Sequence, residues 1–148
     1  MFQLPAEDRL RSWREFRTTL ESLPLEQALA QTAEFWARAP FVPYNLDPML
    51  PQTWPNPWML ISENSYCDVA KCLGIVYTIS LTTHKTAGIE FRVYRDTTTK
   101  YEYNLAWFAQ GKYILNMVDG EVLNIKQFNK TLKLLQQFSE EQLQLDNF

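Results

Sequence analysis

Cys67 lies in the stretch Glu63–Leu81, ENSYCDVAKCLGIVYTISL, at the head of a long apolar run. A thiol in the first turn of a helix faces unpaired backbone N–H groups and the positive end of the macrodipole, and both stabilise the nucleophilic thiolate. The adjacent Asp68 works against that stabilisation. Free cysteine is also among the most buried residue types, a small apolar filler, so position alone leaves a structural role open. A reactive Cys67 needs a base that takes its proton and returns it to the leaving group. The single histidine, His84, follows the far end of the same helix. Some 17 helical residues at about 1.5 Å each separate the two by roughly 25 Å. In the polar string THKT, His84 is expected to be a solvated loop residue.

Other chemistries find no support. The chain has no G-x-G-x-x-G, P-loop, G-x-S-x-G or H-E-x-x-H pattern, so no cofactor is expected. One histidine and two cysteines five residues apart make a poor metal set. On a helix, Cys67 and Cys72 point about 140° apart, which argues against a disulfide. A net charge of −3 with scattered Lys and Arg offers no footprint for nucleic acid or an anionic membrane. The start, MFQLPAEDRLRSWREF, lacks the pattern of a signal peptide, and no apolar run reaches membrane-spanning length. The expected location is therefore the compartment of synthesis.

The elements that must position Cys67 follow from periodicity. At 148 residues and 46% hydrophobic content, one domain with a sizeable core is expected. Helices are predicted over 6–20, with Leu10, Trp13, Arg14, Arg17 and Leu20 near one face, and from Pro24 to about Arg38. The segment 40–58 is spaced by prolines that exclude regular helix. Phe41, Tyr44, Trp54 and Trp58 make it a rigid aromatic arm, packed on its own domain or on a partner. Ser65 and Asp68 form a capping-box variant for a central helix, 69–81, that is apolar nearly all round and so buried. Four antiparallel strands are predicted at 88–95, 101–109, 112–118 and 122–125. Phe128, Leu132 and Leu135 at helical spacing predict a final helix over 126–138, with a frayed end beyond Ser139. Helices followed by strands give an α+β fold.

A cysteine opening a buried helix, followed by NLAWFAQGKYILNMVDG, resembles the core of the transglutaminase-like, papain-related superfamily. There a His-Ala-Trp strand leads through a Gly-Lys turn to a strand ending in Val-Asp. The resemblance covers about 58–119. It implies Cys67 at the nucleophile position, Gly111–Lys112 at the turn and Asp119, two places out of register, as the third residue. The histidine position falls in the second strand, where Glu102 or Asn104 stands instead. Asn cannot accept the proton, and Glu returns one to an amine only with a strongly raised pKa. If catalytic, the set would be Cys67, Asn104 and Asp119; its incompleteness marks Cys67 as a remnant.

The strings TWPNPWML, SYC and KYILNMVDGEVLN also resemble a group of small proteins of tailed bacteriophages. The matching residues are Trp54, Pro55, Pro57, Trp58, Leu60, Tyr66, Cys67, Tyr113, Leu115, Gly120, Val122, Leu123 and Asn124. That resemblance implies a non-enzymatic virion structural or assembly protein of the neck, tail or baseplate region. Its partners would be other virion proteins, engaged through Phe41, Tyr44, Trp54 and Trp58, with no nucleic acid or membrane. It would be found in the host cytoplasm during assembly and then in the virion. The alternative is a cysteine-dependent hydrolase or acyltransferase.

Overall fold

The computed structural model describes residues 1–148. Helices α1 (Ala6–Leu20) and α2 (Leu25–Ala37) each start directly after a proline, Pro5 and Pro24. Glu7 and Asp8 in the first turn of α1 complement its dipole. Each helix buries one stripe, Trp13 and Leu20 from α1 and Ala28, Leu29, Thr32, Ala33 and Trp36 from α2. A short helix, α3 (Pro57–Glu63), has proline in its first turn and Asn56 as its cap, whose Oδ1 accepts from Met59 N at 2.9 Å. It begins inside the aromatic arm, where no helix was expected.

The central helix α4 (Asp68–Ser80) is buried at every position from Val69 onward, as its all-round apolar sequence requires. One hydroxyl secures both N-terminal helices to it. Thr78 Oγ1 accepts from Trp13 Nε1 at 3.0 Å and Trp36 Nε1 at 2.9 Å, and donates to the Gly74 carbonyl at 2.6 Å. Gly74 makes room for this, since a Cβ there would lie 2.5 Å from two atoms of the Trp36 ring.

The sheet is wholly antiparallel, with five strands in the order β4-β3-β2-β1-β5, formed by β1 (Ile89–Asp96), β2 (Glu102–Phe108), β3 (Tyr113–Leu115), β4 (Val122–Leu123) and β5 (Leu132–Phe138). Ile89, Phe91 and Val93 join the helices in the main core, as the alternation of β1 predicts. On β2 the inward face is Ala106 and Phe108, with Asn104 in phase. The more apolar set, Leu105 and Trp107, faces outward into a second small core with Tyr94 and Ile114, covered by Phe128 and Leu132.

The C-terminal helix is not formed; residues 132–138 are an edge strand paired with β1. Its register steps from Val93↔Gln136 to Tyr94↔Leu134, leaving Leu135 as the extra residue of a bulge. That bulge breaks the two-residue alternation, so Leu132, Leu135 and Phe138 are the covered positions, at a spacing that imitates a helix. The tail is docked rather than frayed. Leu143 and Leu145 are buried, Glu140 Oε1 accepts from Ile89 N at 2.8 Å, and Phe148 sits 5.7 Å from the Tyr77 ring.

Candidate functional site

Cys67 is itself the N-cap of α4, extended at φ −77° and ψ −179°, so Ser65 is not the cap and the expected capping box does not form. Extended backbone here lets the Cys67 carbonyl accept the first helical bond, from Lys71 N at 2.9 Å. The thiol is almost fully buried, and Cys67 and Cys72 are both free. One turn into the helix, burial and the nearby Asp68 charge push the Cys72 thiol well above its ordinary value, which keeps it inert.

Asn104 is brought to the same end of α4. Its side chain is buried on the helix-facing side of β2, and Oδ1 has no hydrogen-bond partner in the chain. The link between the two elements is Asn116, which follows β3 in the left-handed region at φ 76°. Its Nδ2 donates to the Asp68 carbonyl at 3.1 Å and to the Asn104 carbonyl at 2.9 Å. Asn tolerates this backbone region better than other side chains do, and its short amide then reaches both elements. Asn116 was not singled out from the sequence; an Asn between a strand and the Asp119–Gly120 turn is the signal that could have found it.

A cleft of about 280 Å³ opens here, lined by Asp68, Tyr101, Glu102, Asn104, Asn116 and Asp119 among others. Asp119 is 65% exposed and faces Lys71 Nζ at 3.8 Å, a side chain only 7% exposed. Its carboxylate therefore serves a lysine of α4. Glu102 is likewise engaged, 3.2 Å from Arg95. Tyr101 donates to Asp68 Oδ2 at 3.4 Å, and the Asp68 charge, with partial burial, raises the Tyr101 phenol above its ordinary value.

His84 is at the opposite end of α4. Across 13 helical residues the separation is about 20 Å. It is half-buried rather than solvated, with Nε2 donating to the Leu20 carbonyl at 3.0 Å, where it closes the end of α1. Asn104 and Asp119 thus line one cleft with Asp68 at the head of α4, Cys67 lies buried next to Asp68 without lining that cleft, and no imidazole is there.

The four arm aromatics separate into different roles. Trp54 packs on its own sheet, with ring centroids 4.8 Å from Phe91 and 5.2 Å from Phe138, and its Nε1 donates to the Asp47 carbonyl at 2.8 Å. Phe41 bridges to Tyr66 through its backbone while its side chain stays 57% exposed. Tyr44 is 99% exposed. Trp58, on α3, is 42% exposed and meets Trp13 edge-on at 5.9 Å.

The arrangement of helices on an antiparallel sheet matches known structures. LapG of Legionella pneumophila is similar over 90% of this chain and 76% of its own, with a TM-score of 0.70 and 14% identity. Calcium-bound LapG matches over 93% and 78%, with a TM-score of 0.74 at 14% identity. The EGTA-treated form matches over 91% and 74%, at 0.70 and 14%. The chain therefore shares the fold of LapG. At this identity the likeness concerns the fold alone. No protein-family model and no curated protein matches the sequence. No group of three or more His, Cys, Asp or Glu side chains is gathered to hold a metal ion. No helix is long and apolar enough to cross a membrane.

Proposed function

We propose that this protein is a non-catalytic binding protein built on a cysteine-protease fold. The observation that carries the reading is Asn104, a side chain that cannot take or return a proton, on the strand that faces the head of α4. Cys67 is buried, Asp119 is turned to Lys71, and the lone histidine caps α1 instead. The imidazole is missing from the site, the carboxylate of Asp119 is employed elsewhere, and the thiol of Cys67 is buried. The residue strings shared with tailed-phage proteins extend the reading to a virion structural or assembly component, of the neck, tail or baseplate region, whose partners are other virion proteins. A component of that kind is found at fixed stoichiometry in purified particles, and its absence from them refutes the extension.

Cys67 at a helix head beside a cleft of about 280 Å³ favours a second reading, a cysteine-dependent hydrolase or acyltransferase using Cys67, Asn104 and Asp119. Alkylation of Cys67 with iodoacetamide between pH 5 and 9, in a Cys72→Ala background, separates the two. The binding-protein reading expects slow reaction or none, as for a buried thiol that only fills space. A fast plateau below pH 7 would reveal a stabilised thiolate and restore the enzyme.

A further inference from the structure

Outside the cleft, one surface stands apart from the rest of this acidic chain. Leu10, Arg11, Arg14, Arg17 and Trp58 line a shallow depression of about 520 Å³ between α1 and α3, with no carboxylate among them. Arg9, Arg11, Arg14 and Arg17 all fall in α1, although Lys and Arg number only 14 in the whole chain. They do not act alike. Arg9 is consumed internally, donating to the Ile61 and Ser62 carbonyls at 3.1 and 2.7 Å. Arg11 pairs with Asp8 at the surface at 2.9 Å.

Arg17 is held in place without a salt bridge. Its guanidinium carbon lies 4.3 Å from the centroid of the Trp13 ring and 5.8 Å from that of Trp58. Its Nε is buried and has no hydrogen-bond partner in the chain. Burial first, and the charge of Arg14 second, disfavour its protonated form, with Glu21 opposing them more weakly. A guanidinium stacked by its faces keeps its edge for a planar anion, and carboxylate matches that edge. Fixing the cation on two indoles in advance removes much of the ordering cost of binding. Trp58 supplies the apolar anchor beside it.

We propose that the α1–α3 surface, centred on Arg17, Arg14 and Trp58, docks an acidic segment of a partner protein, with a carboxylate on Arg17 and an apolar side chain against Trp58. The proposal rests on the binding-protein reading and gives that partner its chemistry. Charge complementarity selects the occupant, because three guanidinium groups share the depression, no carboxylate lines it, and only Arg11 is in a salt bridge.

The test uses fluorescein-labelled peptides of about nine residues, alternating Glu with Leu or Phe, and counterparts with Gln for Glu. Anisotropy is read against the full chain at low and physiological salt. The acidic peptides are expected to bind at least about tenfold more tightly than the Gln peptides. Arg14→Glu and Trp58→Ala should each weaken that binding by about tenfold, with the circular dichroism unchanged. Arg14 is exposed, so its reversal keeps the test free of folding effects. Equal binding of acidic and Gln peptides, or full affinity in Arg14→Glu, overturns the proposal. Self-association of the free chain that Arg14→Glu abolishes would also overturn it, by naming a second copy as the occupant. These outcomes are independent of Cys67 alkylation, so the docking surface and the non-catalytic reading fail separately.

Discussion

Replacing Thr78 with Val should expose how the N-terminal helices are tied down. Val keeps the shape of Thr but removes the oxygen that accepts from Trp13 Nε1 and Trp36 Nε1 at 3.0 and 2.9 Å. Both indoles are buried, Trp13 at 0% and Trp36 at 1% exposure, so neither N–H can turn to water. Each stranded donor costs about 1–3 kcal/mol, and the pair about 2–6 kcal/mol. The Gly74 carbonyl lies inside α4 and loses only a supplementary bond. Against a total stability of about 5–15 kcal/mol this is a large fraction. Thr78→Ser is the control: it keeps the hydroxyl and loses one methyl group, about 1 kcal/mol. Urea unfolding followed by tryptophan fluorescence and by circular dichroism gives both values. Thr78→Val should unfold at distinctly lower urea than Thr78→Ser. Coincident midpoints would mean the shared hydroxyl does not hold the indoles, and the assembly of α1 and α2 on α4 would need another cause.

Gly74→Ala gains about 1 kcal/mol of helix propensity but sets a methyl 2.5 Å from the Trp36 ring, so overpacking of about 1–3 kcal/mol should win. A rise in the melting temperature would show that Trp36 yields. Stability should also fall in alkali, because burial raises the Tyr66, Cys72 and Tyr77 pKa values above their ordinary 10.0, 9.0 and 10.0. The unfolded chain sheds these protons first, so stability is full below about pH 9 and declines as pH climbs through the raised values. Tyr66→Phe removes a phenol with no hydrogen-bond partner. It should leave the urea midpoint at pH 7 unchanged or higher and flatten the decline above pH 10; an unaltered alkaline slope refutes the assignment.

Much of this fold was legible because burial imposes a period. The one-sided helices 6–20 and 25–37, the all-apolar central helix and the alternation of Ile89, Phe91 and Val93 on β1 all follow from it. The failures occur where a local irregularity changes the period. The bulge at Leu135 turns a strand into an apparent helix. At the candidate site, the family resemblance pointed to Cys67, Asn104 and Asp119, and Asn104 and Asp119 line one cleft with Asp68 at the head of α4. Spacing could not reveal Asn116, whose positive φ lets one amide bridge a helix start and a strand, nor that Asp119 faces Lys71. The arginines of α1 looked scattered along the chain, and only packing against Trp13 and Trp58 distinguishes Arg17 from its neighbours.

The shared hydroxyl of Thr78 also has a consequence during synthesis. Trp13 precedes its acceptor by 65 residues and Trp36 by 42. At about 5–20 residues per second, the first indole leaves the ribosome roughly 3–13 s before the group that satisfies it. Throughout that interval α1 and α2 expose their tryptophans without the α4 surface that covers them in the folded chain. The nascent chain is thus most open to chaperones, and to mispairing with neighbouring copies on a polysome, before α4 has been made. Slow codons placed before Thr78 should depress the soluble yield, whereas the same codons placed after β1 should not.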